Sequence, residues 1–386
     1  MINITKLYCG LSGPSDRLRY HRDPGLGPVV AYNCTRGCNL RCQHCYSSSD
    51  HTPGQKELTT EQSKTLLTQL KTFGCPVVLF SGGEPLYRPD IMELLCHCLK
   101  IGLRAVLSTN GTLIDKRTAE RLAEYKVGYV GISIDGPETF HNSFRATEGA
   151  YQRAIDGLRI CREAGLKTGL RFTMTRDNIE HVPWVFNLAA EHKVRRICFY
   201  HLVRTGRAKI GPDACPSLIQ IRNAMDQLLE RTKSGVEAGL LDEVLTVDNH
   251  ADGPYLLMRM QREQNPALGD AKELLQLAGG SRVGIGIACI GWDGSVYADQ
   301  FWRNYSLGNV LEHPFEQIWT GQKDSVLSKI RDKEHHAHIR CKQCAWFLLC
   351  KGNYRFLGTA CASEHWQNEP PCYLTDEEIE KKYAVS

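Results

Sequence analysis

The sequence of 386 residues contains no apolar run as long as the roughly 18 residues that a membrane-spanning helix needs. No charged segment followed by an apolar one precedes Lys6, so a secretory leader is not expected. The formal net charge of +4 offers no excess of positive charge for nucleic-acid binding. These absences predict a cytoplasmic protein that works with neither a membrane nor a nucleic acid.

Cysteine, in contrast, is abundant, with 17 residues. A disulfide-stabilised secreted fold is not expected without a leader, whereas thiols that stay reduced in the cytosol can bind metal. A hydrophobic content of 42% and a charged content of 23% describe an ordinary folded protein. The chain is long enough for two domains, or for one barrel with an appendage.

Cys38, Cys42 and Cys45 follow one another with three and then two residues between them, and Tyr46 comes next. Iron–sulfur clusters select thiolates because these ligands are soft. Three protein ligands leave one iron of a four-iron cluster open to a small chelating molecule. Zinc is the alternative metal, but zinc sites usually combine two Cys pairs with two to four residues between the thiols, and the next pair of that spacing comes about 300 residues later.

Six apolar strand patterns alternate with helical patterns from residue 28 to residue 208. The first helix has Thr59 as its predicted N-cap, Gln62 three residues later and Gly74 at its end. Apolar strands joined by helices predict an α/β fold with a parallel sheet covered by helices. Six units rather than eight favour an open, partial barrel, whose chemistry lies at the C-terminal ends of the strands.

Polar motifs follow these strands. The second strand ends in SGGEP, the third in STNGT and the fourth in SIDG, and His141 and Arg145 come shortly after SIDG. The sixth ends at His201, which is a candidate for contacting a substrate or its metal. Taken one at a time, these motifs are typical of Gly or Asn turns, surface charges and structural histidines.

Together with the Cys triplet, however, the motifs resemble the radical S-adenosylmethionine (SAM) superfamily. The resemblance implies a partial (β/α)6 TIM-like barrel and a 4Fe-4S cluster held by Cys38, Cys42 and Cys45. It also implies that the open iron is chelated by SAM, which the reduced cluster cleaves to a 5'-deoxyadenosyl radical. The predicted cofactor contacts are Tyr46, Gly82, Gly83, Glu84, Pro85, Ser108, Asn110, Ser133, Asp135, Arg145 and His201.

The second half of the chain reads as three helices, at 217–233, 254–263 and 271–277, followed by a β-hairpin that turns at Asp293 and Gly294. A second Cys cluster comes later. It consists of Cys341, Cys344 and Cys350, with Cys361 and Cys372 beyond. Four thiolates could hold either zinc or an iron–sulfur cluster.

This layout resembles the SPASM/Twitch extension of many radical SAM enzymes, which normally holds two auxiliary clusters. Asp299 and Tyr354 stand where the family has Cys, and both missing thiols belong to the same cluster. The resemblance therefore implies one auxiliary 4Fe-4S cluster, held by Cys341, Cys344, Cys350 and Cys372. Cys372 is preferred to Cys361 because its distance from Cys350 matches the family, and Cys289 is left without an assigned role.

The implied domain plan is an N-terminal arm over 1–27, the barrel over 28–208, a helical linker region over 209–280 and the extension over 281–386. The segments KLYCGLSGPSDRLRY, DQFW and PPCYLTDEEI further resemble the radical SAM enzymes that trim siroheme-derived tetrapyrroles. That resemblance implies removal of two acetate side chains from 12,18-didecarboxysiroheme to give Fe-coproporphyrin III, with ferredoxin or flavodoxin as the reductant. Candidate clamps for the substrate carboxylates are Lys6, Arg17, Arg19, Arg204 and Arg207.

Three alternatives stay open. A haem d1 enzyme would remove propionates from the same substrate, and a SPASM peptide maturase would act on a ribosomal peptide. An electron carrier without radical chemistry would bind no SAM, and it would leave SGGEP and SIDG unexplained.

Overall fold

The computed structural model describes residues 1–13, 16, 26–209, 214–321, 326–353 and 372–380. A single sheet of 11 strands runs through these residues, in the order β1-β8-β7-β6-β5-β4-β3-β2-β9-β10-β11. The strands are β1 (Ile2–Asn3), β2 (Val29–Thr35), β3 (Val78–Gly82), β4 (Ala105–Thr109), β5 (Val130–Ser133), β6 (Thr168–Met174), β7 (Arg196–His201), β8 (Glu243–Val247), β9 (Ile287–Ile290), β10 (Ser295–Tyr297) and β11 (Gly308–Asn309).

Helices follow most of the strands. They are α1 (Ile4–Tyr8), α2 (Thr60–Thr72), α3 (Ile91–Ile101), α4 (Lys116–Glu124), α5 (Glu138–Phe144), α6 (Ala150–Glu163), α7 (Val182–Glu191), α8 (Leu218–Glu237), α9 (Asp252–Arg262), α10 (Leu268–Ala278), α11 (Phe315–Thr320), α12 (Val326–Arg331), α13 (Ile339–Lys342), α14 (Phe347–Cys350) and α15 (Asp376–Ile379). Short 3-10 turns cover Pro85–Tyr87, Ile179–His181 and Gly206–Lys209. The predicted start of α2 is confirmed, because Thr59 and Gln62 form a reciprocal capping box.

The α/β class and the partial barrel are confirmed. Strands β2 to β9 pair in parallel with one another, and the helices that connect β2 to β7 follow the predicted order. The predicted hairpin is also confirmed, as the antiparallel pair β9 and β10.

The prediction of helices alone between 209 and 280 is wrong, because β8 lies in this region and pairs in parallel with β7. Strand β9, from the predicted extension, pairs in parallel with β2 at the other side of the six predicted strands. The short β1 of the predicted arm joins the outer edge of β8. The sheet therefore crosses the predicted domain limits, which stay predictions.

Aromatic and aliphatic side chains from the strands and from the helices that cover them form the core. Phe80, Phe172 and Phe199 are fully buried. The rings of Phe172 and Phe199 meet edge to face with their centres 5.9 Å apart, and those of Tyr32 and Phe80 are tilted with their centres 5.8 Å apart. Within the described ranges, no helix has the length and apolar character needed to cross a membrane.

Candidate cluster and cofactor site

A cavity lies at the C-terminal ends of the parallel strands, with an empty volume of about 1060 Å³ that includes space open to solvent. Its wall brings together the three cysteines of the triplet and most of the predicted cofactor contacts. They are Cys38, Cys42, Cys45, Tyr46, Gly82, Gly83, Glu84, Ser108, Asn110, Ser133, Arg145 and His201. Pro85 and Asp135 are not part of this lining.

The two glycines of SGGEP let the loop after β3 press against the Cys loop. A Cβ atom on Gly83 would lie 2.0 Å from the carbonyl oxygen of Gly37, and one on Gly82 would lie 2.5 Å from that of Thr35. Gly82 also has a φ of +117°, which residues with a side chain rarely adopt. The amide of Gly83 donates to the Thr35 carbonyl at 2.7 Å, so the two loops are joined backbone to backbone.

Glu84 is almost fully buried, and its carboxylate joins the loops after β3 and β4. It accepts hydrogen bonds from the Thr109 hydroxyl and the Asn110 amide, both at 2.7 Å, and from the Leu86 amide at 3.1 Å. Burial raises the pKa of Glu84, and these donors oppose the rise. Since its carboxylate oxygens already accept hydrogen bonds from the protein, Glu84 shapes the cavity wall by fixing the backbone of these two loops.

Each thiol of the triplet has a polar neighbour. The Leu40 amide donates to the Cys38 sulfur at 3.4 Å, and the Arg145 guanidinium donates to the Cys42 sulfur at 3.4 Å. The Cys45 sulfur lies 3.3 Å from the Ser47 hydroxyl. Burial raises the pKa of Cys38 to about 12, so a metal must displace its proton before the thiolate can bind.

These features fit a four-iron cluster. Hydrogen bonds to sulfur are one of the means by which proteins tune such clusters, and the three thiols share one cavity with room beside them. In the described ranges, no three Cys, His, Asp or Glu side chains meet closely enough to hold a single metal ion. A cluster makes a different demand, because each thiolate binds its own iron atom.

Arg145 is buried and forms an ion pair with Asp135, in which Nε donates to Oδ2 at 2.6 Å. Although burial alone would raise it, the guanidinium holds the pKa of Asp135 below its ordinary value. The Asp135 amide donates to the ring of His141 at 3.1 Å, which links SIDG to α5. Arg145 thus contacts the Cys42 sulfur on one side and Asp135 on the other.

Arg207, a predicted carboxylate clamp, instead holds the Cys loop. Its guanidinium donates to the backbone carbonyls of Cys42 and Ser49, both at 2.7 Å. The neighbouring Gly206 approaches the Cys45 carbonyl so closely that a Cβ there would lie at 2.3 Å. The segment after β7 therefore fixes the backbone of the cluster loop, and this contact was not foreseen.

The other predicted clamps have different surroundings. Lys6 forms an ion pair with Asp16, and Arg204 is exposed and does not line this cavity. Arg17 and Arg19 lie outside the described residues, as does Cys361.

Asp299 of the DQFW segment shapes a turn. One of its carboxylate oxygens accepts the amides of Phe301 and Trp302 at 2.7 and 2.8 Å. This turn brings the Phe301 ring against Tyr46, edge to face at 5.5 Å, and places Gln300 and Phe301 in the cavity wall. Cys289 is fully buried beside Ala31 and Tyr297 and accepts a hydrogen bond from Asn33, as expected of a core thiol.

His201 lines the cavity, and its imidazole is held in place by two residues that do not line it. Its Nε2 lies 3.0 Å from a carboxylate oxygen of Asp252, whose other oxygen accepts the Tyr373 hydroxyl at 2.7 Å. The rings of His201 and Tyr373 stack with their centres 6.2 Å apart. The imidazole edge that bonds Asp252 is therefore already occupied.

Several residues of the cavity wall were missed from the sequence, namely Arg171, Thr173, Tyr200, Asp248, Gln300 and Phe301. Arg171 and Thr173 alternate along β6, so a polar residue at every second position of an otherwise apolar strand was the available signal. The Arg171 guanidinium lies over the Tyr200 ring, 4.4 Å from its centre. Asp248 was missed together with β8, at whose end it lies.

The second Cys set lies around α13 and α14. Burial raises the pKa of Cys350, and the nearby thiols of Cys372, Cys341 and Cys344 raise it further, which places all four within electrostatic reach of one another. The Trp346 amide donates to the Cys344 sulfur at 3.4 Å. A set of four neighbouring thiols with a backbone donor fits a cluster, and its exact ligands remain a prediction.

Comparison with known families agrees with this geometry. Residues 32–189 match the family model of the radical SAM superfamily, and residues 282–345 match that of an iron–sulfur cluster-binding domain called SPASM. The chain belongs to the radical SAM superfamily, in the group whose members carry a SPASM domain. It is a radical SAM enzyme that uses SAM, a 4Fe-4S cluster and auxiliary iron–sulfur chemistry.

Among curated proteins, the chain is 46% identical to the Fe-coproporphyrin III synthase of Methanosarcina barkeri, over 98% of this chain and 99% of that protein. It is 36% identical to the pre-heme d1 synthase of Dinoroseobacter shibae, over 90% of this chain and 86% of that protein. Among solved structures, SuiB of Streptococcus suis bound to S-adenosylmethionine has a TM-score of 0.67 at 18% identity, over 88% of this chain and 75% of that one. At this identity the last likeness supports the fold alone.

Proposed function

We propose that this chain removes the two acetate side chains of 12,18-didecarboxysiroheme and thereby produces Fe-coproporphyrin III. The observation that carries the proposal is the end-to-end similarity to the Methanosarcina barkeri Fe-coproporphyrin III synthase, at 46% identity. When bound, SAM and the reduced cluster supply the 5'-deoxyadenosyl radical that takes a hydrogen atom from the substrate. The work of the protein is to hold these groups and the substrate in register, and to keep water out.

In this proposal Cys38, Cys42 and Cys45 hold the cluster. The loop of Gly82 to Glu84 and the hydroxyl of Ser133 face SAM across the cavity. Arg171 is a better candidate for a free carboxylate than the predicted Arg145, because Arg145 is already paired with Asp135. Arg171 offers a guanidinium on the cavity wall, which suits a carboxylate of SAM or of the substrate.

In this proposal Cys341, Cys344, Cys350 and Cys372 would hold the auxiliary cluster, which would supply a route for the electron that the reaction needs. An external one-electron carrier such as ferredoxin or flavodoxin supplies that electron, and the reaction takes place in the cytoplasm.

An anaerobic incubation of the reconstituted protein with dithionite, SAM and 12,18-didecarboxysiroheme tests the proposal. The mass spectrum of the tetrapyrrole is expected to show the loss of both acetate groups. Loss of propionate carbon would instead favour the haem d1 reaction, the second candidate, which the similarity to pre-heme d1 synthase supports. An untouched tetrapyrrole alongside 5'-deoxyadenosine would reject both tetrapyrrole reactions and leave a peptide substrate as the third candidate.

A further inference from the structure

A second cavity adjoins the first and is separated from it by a shared wall. It has an empty volume of about 900 Å³, which includes space open to solvent. His201, Leu202, Val203 and Asp248 line both cavities, so the two spaces meet at the ends of β7 and β8. The cluster triplet lines only the first cavity.

The lining of the second cavity is largely apolar. Met174, Leu218, Ile221 and Tyr373 contribute side chains to it, together with the apolar residues of the shared wall. Its cationic lining residue, Arg204, is exposed to solvent. An apolar chamber with a guanidinium at its edge suits a flat, apolar ring that carries carboxylates on its rim.

The second cavity also lies next to the C-terminal set of thiols, through Cys372. This residue lines the second cavity and belongs to the set of four thiols proposed for the auxiliary cluster. A ligand in the second cavity would therefore lie between the two cluster sites. The first cavity must already accommodate SAM beside the open face of its cluster, whereas none of the three cysteines of the triplet lines the second cavity.

We infer that the second cavity holds the tetrapyrrole ring. The substrate side chain to be cleaved then extends past His201 and Asp248, which line both cavities, into the first cavity. This inference rests on the proposed function. Asp248 suits this passage because its left-handed φ of +71° ends β8 abruptly and leaves the residue in the wall of both cavities.

Binding, rather than turnover, is the direct test. The reconstituted protein is mixed anaerobically with 12,18-didecarboxysiroheme, and the unbound tetrapyrrole is measured by mass spectrometry after ultrafiltration. Ile221→Trp fills the second cavity and is expected to raise the Kd for the tetrapyrrole roughly tenfold or more. SAM binding, measured in the same way, is expected to stay within about twofold of wild type, because Ile221 does not line the first cavity.

The matched control is Ile219→Trp, which places the same ring on the same helix where the side chain is 71% exposed and outside the lining. A second variant covers the case in which Ile221→Trp fails to fold. Arg204→Glu changes an exposed side chain, so folding is not at risk, and it is expected to weaken tetrapyrrole binding roughly tenfold by repelling the carboxylate rim. Lys167 is exposed just before the start of β6, whereas the other end of this strand, Met174, lines the second cavity. Lys167→Glu makes the same change of charge and is expected to leave binding unchanged.

Tetrapyrrole binding that is unaffected by both Ile221→Trp and Arg204→Glu would overturn the inference and leave the proposed function standing. A wild-type protein that does not bind the tetrapyrrole at all would overturn the proposed function, and the inference with it. Equal weakening by Ile219→Trp and Ile221→Trp would also overturn the inference, since it would trace the effect to the helix and not to the cavity.

Discussion

At the level of single residues, the buried ion pair of Arg145 and Asp135 makes the clearest prediction about stability. Both side chains are almost fully buried, at 8% and 1% exposure. Removing one charge leaves the other buried and unpaired, so Arg145→Met is expected to lower the free energy of unfolding by roughly 3–5 kcal/mol. Urea unfolding of the cluster-free protein measures this change.

The double variant Arg145→Met with Asp135→Asn is the control for that prediction, because it removes both charges together. It is expected to be more stable than the single Arg145→Met variant. A double variant that loses the sum of the two single losses would show that the pair is not coupled.

Asp248 predicts a dependence of stability on pH. Its pKa is raised to about 7, chiefly by burial and also by the nearby Asp299 carboxylate, although the Met1 amino group, His201 and Arg171 act to lower it. The folded protein therefore binds this proton more tightly than the unfolded chain. The stability that the proton provides is complete below about pH 4 and is lost as the pH rises through about 7.

Asp248→Asn removes this loss and tolerates the left-handed φ. At pH 8 it is expected to be more stable than wild type by roughly 4 kcal/mol, with little difference at pH 4. Unfolding curves at the two pH values measure the effect. Equal differences between variant and wild type at both values would contradict the assignment.

At the level of loops and strands, the close contact of SGGEP with the Cys loop is the feature most open to test. Gly83→Ala places a methyl group 2.0 Å from the Gly37 carbonyl and must push the two loops apart. We expect the variant to bind less iron after reconstitution and to melt at a lower temperature. Gly269→Ala is the matched control, because its Cβ meets nothing within 4 Å in helix α10, and it is expected to stabilise by up to about 1 kcal/mol.

The two thiol sets predict distinct iron contents. Two 4Fe-4S clusters correspond to about eight iron atoms per chain, so replacing Cys341, Cys344 and Cys350 by Ala is expected to leave about four. Replacing the Cys38 triplet is expected to leave about four as well, with loss of SAM binding in this variant alone. Cys289→Ala is the control and is expected to leave the iron content unchanged, because this thiol lies in the core. Zinc in the C-terminal set would contradict the prediction.

The sequence predicted the strands whose apolar runs alternate with capped helices, and it missed β8. The run EVLTV is short and lies between helical patterns, so local periodicity could not distinguish it, whereas its pairing with β7 depends on residues far away in the chain. The same limit applied to Arg207. Its role on the Cys42 carbonyl follows from the path of the chain after β7, and nothing in its neighbouring residues indicates it.

For the whole molecule, the sequence was informative because the cofactor restricts the residues that can hold it. Thiol spacing and a glycine pair are local, and they were found at the C-terminal strand ends as expected. The partners of charged groups are set by the fold instead. Arg145 faces Asp135 and Cys42, and Arg171, whose apolar strand neighbours gave no sign of it, lies on the cavity wall over the Tyr200 ring.

The most direct test of the account compares 5'-deoxyadenosine with tetrapyrrole product in one anaerobic reaction. The account predicts one 5'-deoxyadenosine for each acetate side chain that is lost, and neither product from the variant in which Cys38, Cys42 and Cys45 are all Ala. Side-chain loss in that variant, or 5'-deoxyadenosine that forms while the tetrapyrrole keeps every side chain, would contradict it.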